Sequence, residues 1–161
     1  MSCLSAILCF DSTIGADLAE IVLFGYFNSL CQFHSVVDDC VHACWEAAGY
    51  EPTDTVGSVF TVPSDYGLAG DTLLTALAYK GGKNTIGAAR ILLRAAVAAI
   101  LNAANSEVNY PLAEAGVLGA VNLALSSHDR DTMLDLANEL DTYNNLGCAL
   151  LVSRRPYFFH K

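Results

Sequence analysis

The stretch IGAARILLRAAVAAILNAAN, Ile86 to Asn105, decides how this chain folds. Arg90 and Arg94 are its only charges, and alanine, leucine, isoleucine and valine make up most of the rest. Alanine and leucine are the strongest helix formers, and neither Pro nor Gly interrupts the run after Gly87, so it reads as a helix. Residues four apart share a face, which puts Arg90 and Arg94 on one narrow stripe and leaves the remaining circumference apolar. Such a helix has to be surrounded. Its length would cross a bilayer, but Arg94 sits mid-run, alanine is barely hydrophobic, and Asn102 and Asn105 follow. The expectation is therefore the central helix of a folded domain and no membrane span.

Toward the C-terminus the helix grammar repeats. In SEVNYPLAEAGVLGAVNLALSS, Pro111 suits a first helical turn, Glu114 suits the positive helix end, and Leu112, Ala115, Leu118, Val121 and Leu125 mark a buried side. SHDRDTMLDLANELDTYNN is more amphipathic, with Met133, Leu136, Ala137 and Leu140 facing in and Asp131, Asp135, Asn138 and Glu139 facing water. Gly147, free to adopt positive φ, suits its end. The tail LLVSRRPYFFHK closes on the aromatic triplet Tyr157-Phe158-Phe159.

Toward the N-terminus, Gly49 to Gly82 is punctuated by Pro52, Gly57, Pro63, Gly67 and Gly70, and reads as loop and single turns. Thr53-Asp54 can cap a short turn that brings Val56, Val59 and Phe60 inward. Gly70 or Asp71 can start a helix through Leu73, Leu74, Leu77 and Tyr79, stopped by Gly81-Gly82. Residues 1–44 are apolar and cysteine-rich, and Asp17, Leu18, Glu20, Ile21, Leu23 and Phe24 fit a short helix ended by Gly25, with a strand over Ile21 to Phe24 as the alternative. Met1 to Phe10 is apolar but lacks a basic leader region, and Asp11 ends it early, so it does not read as a signal peptide. A mature or trimmed product is expected.

With 161 residues, the chain reads as one domain: a cysteine-rich segment 1–44, a helical module 45–150 and an aromatic tail 151–161. Only 16% of residues are charged, against about a quarter in ordinary globular chains, which implies a large core or a surface that meets other chains. A net charge of -9 opposes nucleic-acid binding, because such surfaces need clustered Lys and Arg to displace counterions.

The cysteines are Cys3, Cys9, Cys31, Cys40, Cys44 and Cys148, an even number that allows about fifteen pairings. Cys148 is expected to join the N-terminal segment, through Cys31 or Cys44, with Cys3 and Cys9 paired locally or with Cys40. A bridge to Cys148 would close a loop worth roughly 4 to 5 kcal/mol in the chain-entropy model. His34, Asp38, Asp39, Cys40, His42 and Cys44 crowd together and invite a zinc reading. No second pair at a zinc-site spacing accompanies them, so structural cysteines are expected, with no metal and no cofactor.

The search for catalytic motifs is bare. No GxSxG, HExxH, GxGxxG or phosphate loop is present. His128 beside Asp129 could form a base and its orienter, but neighbours on a helix point about 100° apart, and helix-start chemistry accounts for both. Asp54, Asp65 and Asp71 lack the spacing of a calcium loop and suit helix capping. Tyr26, Trp45, Tyr50 and Tyr66 could make a sugar-stacking face for a surface glycan, or belong to the core.

From Trp45 onward, GYEPTDTVGSVF, TLLTALAYKGG, GAARILLRAAVAAILNAA, VNYPL, AVNLAL and LDTYNNLGCAL resemble a family of secreted modules in microbial surface proteins. Those modules open with a Cys and a GYWKNHP-type motif and close on NNxGCPL. Gly25-Tyr26-Phe27-Asn28 stands at the opening here without the Lys and His-Pro, and Ala149 replaces the closing Pro. The resemblance covers residues 45–150 and implies an exported, disulfide-closed, mainly helical module on cell-surface or extracellular polymers. It implies no catalytic activity.

The expectation is thus a mainly α domain of four to six helices around the Ala/Leu-rich helix, with an irregular Gly/Pro segment and disulfides. Its expected role is a non-enzymatic extracellular structural or self-assembling module, with an adhesive or carbohydrate-binding module as the alternative. Subunit contacts would come from the terminal segments, through Phe10, Ile21, Leu23, Phe24, Tyr157, Phe158 and Phe159, making a homo-oligomer. The N-terminal ones have only Asp11, Asp17 and Glu20 nearby to solvate them.

Overall fold

A computed structural model describes residues 45–106 and 108–146. Every regular element among them is helical: α1 Val56–Val59, a 3-10 turn Ser64–Tyr66, α2 Leu73–Leu77, α3 Thr85–Ala104, α4 Glu114–Ser126 and α5 Arg130–Asn144. Residues 45–48 add a helical turn that buries Trp45 and Ala48. The chain is mainly α, as the periodicity predicts. The expected helix over residues 17–24, the six cysteines, the seven terminal contact candidates and Gly147 lie outside the described residues.

The predicted central helix is α3, shifted by one residue to Thr85–Ala104. Its start is fixed by Asn84, whose side-chain oxygen accepts the Gly87 N–H at 2.8 Å and so satisfies one of the helix's orphan donors. From Ala95 to Asn102 every side chain is buried. α3 packs most extensively on α5, then on α4 and α2. Asn144, the last residue of α5, meets Ala95 and Asn102 in the second half of α3. An antiparallel α5 would overhang the end of α3 and touch little of it, so the two helices run the same way. This helix is also long and apolar enough to cross a membrane by length and composition, and 72% of its most apolar window is buried within the molecule.

The stripe carrying the two arginines is covered from one side. Arg94 is half-buried and donates to the Tyr79 carbonyl at 3.3 Å, while the Arg90 guanidinium lies 5.9 Å from the Tyr79 ring centre. The connection from α2 reaches α3 by close backbone contact: a Cβ on Gly87 would overlap the Cα and N of Gly82. Gly87 is the residue this crossing requires, since a Cβ on Gly82 would make only ordinary contacts at 3.4 Å.

The irregular segment is stapled by its own backbone. Val56 N–H donates to Asp71 O, Gly57 N–H to Ala69 O and Leu73 N–H to Asp54 O, around a Thr55–Thr72 bridge. Three sequence expectations are corrected, the first two by this lattice. α1 is capped by Thr55, not Thr53 or Asp54, and the Asp54 carboxylate instead accepts the Glu51 N–H at 2.8 Å. α2 is capped by Thr72 and ends at Leu77, so Leu74 points outward and is 55% exposed, while Leu73, Ala76 and Tyr79 are buried. α4 begins at Glu114, three residues beyond Pro111, and its buried side is Val117, Val121, Ala124 and Leu125. Ala115 is exposed, and Leu112 and Leu118 are only half-buried. α5 matches its predicted faces, with Met133, Ala137 and Leu140 buried and Leu136 partly so.

Candidate functional site

Among the described residues, four tyrosine hydroxyls donate to partners elsewhere in the chain. Tyr110 donates to Asn144 Oδ1 at 3.0 Å, Asn102 Nδ2 donates to the same oxygen at 3.3 Å, and Asn144 Nδ2 donates to Ala95 O at 3.1 Å. Asn144 is fully buried, so this network locks α5, α3 and the 105–113 loop together with its amide satisfied. The Tyr143 ring meets Tyr110 edge-on at 6.3 Å. Burial, followed by the nearby Tyr143, Asp141 and Glu139, pushes the Tyr110 hydroxyl pKa well above the ordinary tyrosine value.

A second tyrosine, Tyr79, donates to Asp71 Oδ2 at 2.6 Å and carries the Arg90 guanidinium over its ring. Burial first, then the Asp71 hydrogen bond and charge, raises its pKa, with Arg90 working in the opposite sense. Tyr50 donates to Glu114 Oε1 at 2.5 Å and pins the N-terminal loop to the first turn of α4. Its pKa is raised by burial and then by Glu114. Each of these hydroxyls donates its proton to a neighbouring side chain.

The fourth, Tyr66, donates to Leu125 O at 3.3 Å and meets the His128 ring at 5.3 Å. His128 adopts a positive φ of 53°, a turn conformation between α4 and α5, and its Nδ1 lies 3.5 Å from Asp65 Oδ2 on the surface. The His128-Asp129 dyad considered from the sequence does not form. Asp129 caps α5 by accepting from both the backbone N–H and the hydroxyl of Thr132, and these bonds lower its pKa. The carboxylate that faces His128 is Asp65, sixty-three positions away in sequence.

The other sequence candidates are also dispersed. Asp54, Asp65 and Asp71 each have a different partner, namely Glu51 N–H, His128 and Tyr79. Among the described residues, no three His, Cys, Asp or Glu side chains gather where they could hold a metal ion. Trp45 and Tyr66 are buried at 3% and 5% exposure, so they serve the core and cannot stack on a glycan; Tyr26 lies outside the described residues.

Sequence reasoning missed two features. Asn102 and Asn144 read as polar helix ends, and their joining across 42 positions leaves no local signal. The outward face of α4 was equally hidden, because the helix is apolar all round. That face carries Ala115, Gly116, Gly119 and Leu123, all exposed, and Leu123 is 73% exposed. No protein-family model, curated protein or solved structure matches the chain.

Proposed function

We propose that this protein is a non-enzymatic, extracellular structural module that assembles with copies of itself. The observation that carries this reading is apolar surface: Leu74, Leu123 and Leu146 stand 55%, 73% and 55% exposed on a chain in which only 16% of residues are charged. Such surface favours association, because burying it gains about 25 cal/mol per Å². The tyrosine hydroxyls, which in another arrangement could serve chemistry, are committed to internal clamps. The resemblance of residues 45–150 to secreted surface-protein modules supports the extracellular location, as does the even number of cysteines. The terminal segments, with Phe10, Ile21, Leu23 and Phe24 at one end and Tyr157, Phe158 and Phe159 at the other, supply contacts that extend the assembly.

Electron microscopy of the purified chain tests the reading, with and without Arg154 to Lys161. Ordered assemblies that vanish on deletion, while the melting temperature of the monomer holds, are expected. A destabilised monomer would place the aromatic tail in its own core and remove it from the assembly contacts.

A further inference from the structure

Half of the chain's positive charge is gathered in one place. Lys80, Lys83, Arg90 and Arg94 are four of its 8 basic residues, and no acidic residue occurs between Asp71 and Glu107. The fold brings them together. The Gly81-Gly82 backbone crosses α3 against Ile91 and Gly87, so Lys80 and Lys83 flank the crossing and Arg90 lies in the turn of α3 between those two contacts. Lys80, Lys83 and Arg90 are exposed, whereas Arg94 turns inward to the Tyr79 carbonyl. Among the described residues, the three exposed cations form no ion pair, while Arg130, the one further Lys or Arg, sits beside Asp131. The backbone is open as well: among the described residues, no N–H or carbonyl of 80–83 takes a hydrogen-bond partner.

We propose that this crossing binds a short acidic segment of a partner polypeptide, its carboxylates on Lys80, Lys83 and Arg90 and its main chain along residues 80–83. Charge sets the sign of the partner, because these cations stand unpaired on a chain of net charge -9 and attract carboxylates where the rest of the surface repels them. Repulsion also limits its length. At physiological salt, charges are screened beyond about 8 Å, so a short segment kept within the patch is governed by the cations, whereas a long polyanion running past it meets the surrounding acids. The backbone sets the class. Open N–H and C=O groups along four consecutive residues match a second main chain, which carries both at the same spacing; the hydroxyls of a polysaccharide have no such register. Arg90, its guanidinium 5.9 Å from the Tyr79 ring centre, offers a planar fork that fits a carboxylate. This contact does not depend on self-assembly.

Fluorescence anisotropy of a labelled Asp-Ser repeat octapeptide, titrated with the full chain, tests the proposal. Saturable binding is expected, weakened about tenfold by Lys80→Gln combined with Lys83→Gln, weakened severalfold by Arg90→Gln, and reduced by added salt, all with an unchanged melting temperature. Arg130→Gln, a control on a paired arginine, is expected to bind as wild type. Amide NMR shifts on adding the peptide are expected to centre on residues 80–83. No binding of the Asp-Ser peptide at millimolar chain would overturn the proposal, as would equal binding of the Asn-Ser repeat or undiminished binding by the double lysine variant. Binding of polygalacturonate, but not of the peptide, at the same residues would also overturn it, by assigning the patch to an acidic polysaccharide. Each of these failures leaves the self-assembly reading standing, since that reading is measured without the peptide.

Discussion

Asn144 shows how much a single residue carries in this molecule. Its amide, fully buried, accepts from Tyr110 and Asn102 and donates to Ala95 O. Replacing it with leucine, close to it in size, would strand those partners, and a buried polar group without its partner costs about 1 to 3 kcal/mol. Asn144→Leu is therefore expected to lower stability by roughly 3 kcal/mol in urea denaturation, since more than one partner is affected. A loss below about 0.5 kcal/mol would show that water satisfies the network and that the helices do not depend on it. The sequence marks Asn144 only as a helix end, because a buried asparagine and a capping asparagine have the same local context. Asp129 is the converse: its cap to Thr132 is local, spans three residues, and is legible from the sequence alone.

At the scale of elements, legibility follows how local the cause is. α3 is legible to within a residue, and α5 begins three residues inside the segment read as helical, because Ala/Leu content and a clean polar face are properties of the segments themselves. α4 was misjudged at its start and on its buried side because it is apolar all round, and only its neighbours choose which face turns inward. The caps of α1 and α2 moved to Thr55 and Thr72 because these residues pair across the loop, a contact that no window of sequence contains. Two substitutions test how α3 is held. Ala96→Arg places a charge at a position with no solvent exposure and should cost about 4 kcal/mol or more, enough to unfold a domain of ordinary stability. Gly87→Ala, mild in propensity, should still cost about 2 to 3 kcal/mol, because the new methyl overlaps the Gly82 backbone and not a side chain that can rotate away. A Gly87→Ala variant more stable than wild type in thermal denaturation would show that the crossing is looser than described.

At the scale of the whole molecule, the described residues make one hydrophobic core, centred on α3 and covered by α2, α4, α5 and the loop from Trp45 to Leu68. Several tyrosine hydroxyls and the Asn144 amide are spent on internal hydrogen bonds, Asp131, Asp135 and Glu139 line the exposed side of α5, and Leu74, Leu123 and Leu146 remain exposed. The proposed self-assembly draws on this exposed apolar surface. Self-association is thus the central claim. Sedimentation of the intact, unreduced wild-type chain over a range from micromolar to near-millimolar concentration tests it most directly. The account predicts a weight-average mass that rises with concentration, first toward the dimer and then beyond it; a single 17.1 kDa species at every concentration would contradict it.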